Sequence, residues 1–93
     1  MSLEIDDLIH QPVRTKIMAY LGNYGECDYT QLKKSLEITD GHMSTHMKKL
    51  VNADYVTANK LFVNNKPKTK YKLSKLGKAR LKKYLDTLKK LIN

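Results

Sequence analysis

The stretch Asp28–Leu50, DYTQLKKSLEITDGHMSTHMKKL, holds two helix starts separated by one tight connection. Asp28-Tyr29-Thr30-Gln31 reads as a capping box, with Gln31 able to reach back toward the Asp28 backbone. Leu32 and Leu36 are the apolar positions of the short helix behind it. Thr39 or Asp40 can cap a second helix, whose apolar positions are Met43, Met47, Leu50 and Val51. Two short helices joined through Glu37-Ile38-Thr39 form a helix-turn-helix pattern.

Upstream, Leu3, Ile5, Leu8 and Ile9 fit one face of a short first helix. Pro12 suits the first turn of the next, where its missing N–H costs nothing. Val13, Ile17, Met18 and Leu21 follow at helical spacing, with Gly22 and Gly25 as its stop. Downstream, Tyr55-Val56-Thr57 and Lys60-Leu61-Phe62-Val63 suit an extended strand, Asn64-Asn65-Lys66-Pro67 are turn formers, and Thr69–Leu73 alternates like a returning strand. Ser74 can cap a last helix carrying Leu76, Leu81, Tyr84, Leu85, Leu88, Leu91 and Ile92. The reading is a mainly α fold with one small β-hairpin, in the order helix, helix, helix, hairpin, helix. It is a single domain over residues 1–93, with the second helix of the pair at about 40–53, the hairpin at about 55–73 and the terminal helix at about 74–92.

The 93 residues are 41% apolar and 29% charged, ordinary for a globular chain, but the formal charge of +9 calls for an anionic partner. The charge is segregated. Residues 1–54 hold six Lys/Arg against eight Asp/Glu, a net of −2; residues 55–93 hold twelve against Asp86 alone, a net of +11, and the two sum to +9. Cys27 is the one cysteine, so no intramolecular disulfide can form and a reducing, cytoplasmic setting is expected. The acidic start, Met1 to Asp7, has none of the basic and apolar regions of a signal peptide, and no apolar run approaches the roughly 20 residues of a membrane span.

Four stretches carry a resemblance to winged-helix regulators, the broad group that includes MarR-like and ArsR-like repressors, and in particular to short stand-alone prokaryotic members. They are Ile9-His10-Gln11-Pro12-Val13-Arg14, Leu36-Glu37-Ile38-Thr39-Asp40-Gly41, Met43–Leu50, and Lys66–Ser74 running out of the hairpin, with Leu76-Gly77-Lys78 continuing as the family usually does. The resemblance spans roughly residues 5–85 and implies a winged helix-turn-helix that binds double-stranded DNA and regulates transcription, with no cofactor. Where the family commonly has Gly at the wing tip this chain has Asn64, which also tolerates positive φ.

At 100° per residue, Gly41, Thr45, Lys49 and Asn52 lie opposite the apolar stripe of the reading helix, with His42 and Lys48 beside them and Ser44 and His46 at the borders. The N-terminal part of such a helix enters the major groove, so His42, Ser44 and Thr45 are the expected base readers. Lys48, Lys49, Gly41 and Thr30 are the expected backbone contacts. Asn65, Lys66, Lys68, Lys70 and Lys72 form the wing contact, joined by Lys60, with Lys66 at the minor groove. If six phosphates are neutralised, log K should fall with log salt at a slope of about −5. The plainer readings are a solvated helix face and a lysine-rich strand edge that resists aggregation.

Leu3, Ile5, Leu8, Leu81, Tyr84, Leu85, Leu88, Leu91 and Ile92 are expected either to pack together or to form a two-fold dimer interface, the dimer being the preferred reading. An amphipathic membrane-surface helix would leave the hairpin unexplained. His42 and His46, four apart, could serve an ArsR-like metal sensor, but no second ligand cluster accompanies them, and no bound metal is expected. The acids beside Cys27 argue against a reactive thiolate. No catalytic spacing stands out, so an enzyme is not expected. RNA or a protein is the rival partner; Phe62 and most of the six Tyr read as core, which favours duplex DNA.

Overall fold

The computed structural model describes residues 3–93; Met1 and Ser2, the start of the acidic segment, lie outside the described residues. The elements are α1 (Pro12–Tyr24), β1 (Cys27–Asp28), α2 (Tyr29–Leu36), α3 (Asp40–Asn52), β2 (Val56–Val63), β3 (Lys66–Leu73) and α4 (Lys75–Ile92).

The expected short helix over Leu3–Ile9 does not form. A turn spans Asp7–Ile9 instead, because the Asp6 carboxylate captures the N–H groups of Leu8 (2.9 Å) and Ile9 (3.3 Å). Gln11, preceding a proline, is held extended at φ −151, ψ 133, and its side chain accepts from the Arg14 N–H at 2.8 Å. Helix α1 therefore starts at Pro12, as its sequence indicates. It runs through Gly22 to Tyr24 and stops at Gly25, whose φ of 79 an L side chain disfavours. Gly22 has a different role: a Cβ there would come within 2.8 Å of Leu81, so its absence lets α4 approach α1.

The caps fall where their residue types demand. Asp28 accepts from Gln31 N–H (2.7 Å), Thr39 from His42 N–H (3.4 Å) and Ser74 from Gly77 N–H (2.9 Å). Only half of the expected capping box is present, since the Gln31 amide donates to Tyr20 Oη at 3.4 Å rather than turning back. Between α2 and α3, Glu37 adopts the left-handed conformation (φ 53), and the N–H of buried Ile38 bonds to Lys33 O at 3.1 Å, closing a Schellman turn.

The sheet has three antiparallel strands in the order β1-β3-β2. The register Cys27↔Tyr71 and Asp28↔Lys70 adds a third strand that two residues could not announce. Strands β2 and β3 pair from Val56↔Leu73 out to Val63↔Lys66. The turn is thus only Asn64-Asn65, both at positive φ (52 and 62), the requirement of a two-residue type I′ hairpin. Lys66 and Pro67, expected in the turn, belong to β3. Val63↔Lys66 closes the turn as the hydrogen-bonded pair, so the next pair, Phe62↔Pro67, is non-bonded and the imino nitrogen of Pro67 faces away from β2.

The core joins Ile9, Ile17, Met18 and Leu21 to Leu32, Ile38, Met43, Met47 and Leu50, with Tyr55, Val56, Leu73, Leu81 and Tyr84 closing it. Val51, expected with them, is half-buried at its edge. Gly77 seats α4 on the base of the hairpin so closely that a Cβ would lie 1.9 Å from the Tyr55 carbonyl oxygen. The described chain measures 50 × 25 × 21 Å.

Candidate nucleic-acid interface

Burial of Met43, Met47 and Leu50 fixes the rotation of α3 and turns Gly41, His42, Ser44, Thr45, Lys48, Lys49 and Asn52 outward, all of them exposed. Gly41 has open space where a Cβ would be. The Ser44 hydroxyl folds back onto Gly41 O at 3.4 Å, leaving His42 and Thr45 as the less engaged of the three expected readers. At the helix N-terminus Asp40 is held by Lys33 (3.0 Å), which lowers its carboxyl below the usual range, and it also accepts from Tyr29 Oη at 3.3 Å.

Behind this face lies a residue that the sequence did not reveal. Arg14 is buried to 9% exposure in α1. Its Nε donates to the Leu8 carbonyl and its Nη1 donates to His46 Nδ1 at 2.8 Å. A guanidinium only donates, so His46 accepts through Nδ1 and carries its proton on Nε2. Burial and the adjacent Arg14 charge hold His46 below the usual histidine range. His46 thus links α3 to α1 rather than facing a ligand. Its ring lies 6.4 Å from that of His42, and no group of three His, Cys, Asp or Glu suited to a metal occurs among the described residues. Position 14 opens a helix in sequence, and only the fold shows that its side chain runs inward.

On the hairpin, the pairings put Lys66, Lys68, Lys70 and Lys72 on one face with Val63, Leu61, Asn59 and Thr57. Lys60 lies on the opposite face, opposite Thr69. Lys68 is engaged by Asp28 at 3.5 Å across the sheet. Asp28 is lowered chiefly by the Gln31 N–H it accepts, with Lys68 adding to this. The start of α2 is therefore already occupied by a carboxylate; Thr30 stands exposed beside it, on a groove of about 530 Å³ that continues along Val63, Lys66, Pro67 and Lys68. Asn65 is exposed at the tip.

Phe62, expected in the core, is 78% exposed and Tyr24 64%, whereas Tyr55 and Tyr84 are buried and Tyr20, Tyr29 and Tyr71 half-buried. Tyr55 Oη donates to Asp6 at 2.7 Å, and burial followed by this bond raises its hydroxyl to about 12. Cys27 is buried, and burial, then Asp28 and Glu26, push its thiol up. Of the terminal apolar set, Leu81 and Tyr84 are consumed by the chain's own core. Tyr84 Oη also bonds His10 Nδ1 at 2.9 Å. Ile5, Leu8 and Leu88 are half-buried, while Leu3, Leu85, Leu91 and Ile92 stay exposed. No helix among the described residues is long and apolar enough to cross a membrane.

A helix-turn-helix whose second helix shows a polar outer face, followed by a basic hairpin, defines a winged-helix transcriptional regulator. The chain belongs to the winged helix DNA-binding domain family, which matches residues 13–92. It is similar to an uncharacterized protein of Methanocaldococcus jannaschii, 32% identical over 78 residues that make up 84% of this chain and 85% of that one. It is also similar to the solved structure of a transcriptional regulator homologue from Pyrococcus horikoshii (TM-score 0.85, 27% identity, 91% of this chain and 84% of that one). The fold is shared with HlyU from Vibrio cholerae (TM-score 0.64, 21% identity, 81% and 77% of the two chains).

Proposed function

We propose that this protein is a sequence-specific, double-stranded DNA-binding regulator of the repressor type that acts as a dimer. The observation that carries the reading is the outer face of α3, polar and uncovered from Gly41 to Asn52, beside a hairpin with four lysines in register. In the major groove, His42 meets purine N7 or O6, and Thr45 offers a hydroxyl and a methyl to the next base edge, with Ser44 adjacent. Lys48, Lys49 and the Gly41 backbone meet phosphates, adding affinity rather than sequence information. Among the wing lysines Lys66, Lys70 and Lys72 act first, because Lys68 must leave Asp28 before it can serve a phosphate.

The exposed ends Leu3, Leu85, Leu91 and Ile92, flanked by Ile5, Leu8 and Leu88, supply the dimer surface. A two-fold pair would present two reading helices to successive major grooves. The test is titration of the purified protein against the upstream DNA of its own gene and against random duplex, with light scattering on the same sample. The expected result is a dimer that prefers its own DNA. A monomer that binds both duplexes equally overturns the reading.

A further inference from the structure

Phe62 is 78% exposed, although it stands in a regular strand two positions beyond Lys60. Its exposure follows from the register. Residues 56, 58, 60 and 62 share a face with 73, 71, 69 and 67, and this face packs on the helices at Val56 and Leu73, which are buried. The hairpin then outruns the helices, so the same face emerges uncovered at Phe62 and Pro67. A large apolar ring is costly to leave in water, and a strand position that needed only β propensity would be served by Thr or Val. The surroundings identify an occupant by charge. Lys60 lies on the ring's own face, Lys66 and Lys68 flank its partner Pro67, and Asp28, the acid of the neighbouring strand β1, is already paired with Lys68.

We infer that Phe62, backed by Pro67, is an apolar wedge that enters the minor groove of duplex DNA while Lys60 and Lys66 hold the phosphates on either side. This rests on the duplex-binding reading above and adds a second kind of contact to it. Lysines supply affinity that salt removes, whereas a ring inserted at a base step acts through unstacking and bends the duplex. Flexible pyrimidine–purine steps at the wing's position therefore become part of the preferred site without any hydrogen bond to their bases.

The test compares Phe62→Ala with Lys66→Ala on the intact protein. The probes are its own upstream duplex, donor- and acceptor-labelled at the ends to report bending, and a single strand of the same sequence. Phe62→Ala is expected to weaken duplex binding roughly tenfold, to abolish most of the bend and to leave the salt slope unchanged. Lys66→Ala is expected to reduce the slope by about one while keeping the bend. Thermal unfolding should be unaltered in both, since neither side chain is buried. Unchanged duplex affinity and bend in Phe62→Ala, with Lys66→Ala still weakened, overturns the wedge and leaves duplex binding standing. A loss confined to the single strand makes Phe62 a base-stacking platform and also overturns it. Failure of the unaltered protein to bind duplex at all removes the underlying reading instead.

Discussion

Helix α3 and the wing are held in opposite ways. Helix α3 is fixed from behind: three of its side chains are in the core, Thr39 caps its start, and the buried Arg14 ties His46 to the segment around Leu8. The wing beyond Thr69 buries no side chain, and Lys68 is tied back to Asp28 by an ion pair near the surface. Its shape comes from the β2–β3 ladder and two asparagines at positive φ, and its tip residues are exposed. A surface that discriminates between bases must hold its donors and acceptors to within a fraction of an ångström. A surface that neutralises phosphates need only deliver charge. The difference in support matches the difference in task proposed for the two surfaces.

The comparison breaks most readily at Arg14. Replacing it with Ala strands His46 Nδ1 and the Leu8 carbonyl and leaves a cavity, so urea unfolding should show a loss of about 3 kcal/mol. A loss below about 1 kcal/mol would mean that α3 does not depend on this link. On the wing, Asn65→Val forces a β-branched residue to positive φ and should cost about 1–2 kcal/mol in the same assay, while Asn65→Gly should be nearly neutral. Thr39→Ala removes one long capping bond, and about 0.5–1 kcal/mol of stability should go with it.

The smallest expected effect is a pH dependence. His46 is held below its ordinary range in the folded state, so the unfolded chain takes up the proton first as pH falls. Stability should be full above the unfolded histidine range, decline as pH drops through about 6.5 and level off below the folded value. His42 and Lys49 on α3 and Arg14 on α1 all oppose protonation at this site. His46→Gln, which can still accept from Arg14, should flatten the decline in thermal denaturation across this range. An equal slope in the variant would assign the effect elsewhere.

Much of the helical frame was legible because it is written in local chemistry. Asp28, Thr39 and Ser74 cap as their types demand, and the 3.6-residue period of Met43, Met47 and Leu50 set the rotation of α3 and hence its outward residues. What escaped was long-range or decided by competition. Leu3–Ile9 had helical apolar spacing, but Asp6 offered its carboxylate to the local N–H groups and closed a turn. Strand β1 is too short for any period, and its partner stands more than forty residues away. The burial of Arg14 and the pairing of Lys68 with Asp28 depend on which elements meet. Phe62 read as core because strand aromatics usually are; its exposure depends on where the helices end beneath the sheet. Leu81 and Tyr84 were expected chiefly at a dimer interface, yet both lie in the chain's own core, where the absence of a side chain at Gly22 lets Leu81 approach α1.

The division between reading helix and wing is tested most directly by salt-dependent titration of two double variants, His42→Ala/Thr45→Ala and Lys66→Ala/Lys70→Ala. Each is measured on the upstream duplex of the protein's own gene and on random duplex. The helix variant should bind both duplexes alike with its salt slope unchanged. The wing variant should keep the preference and lose about two from the slope. A helix variant that keeps its preference, or a wing variant that loses preference without losing slope, would contradict the account.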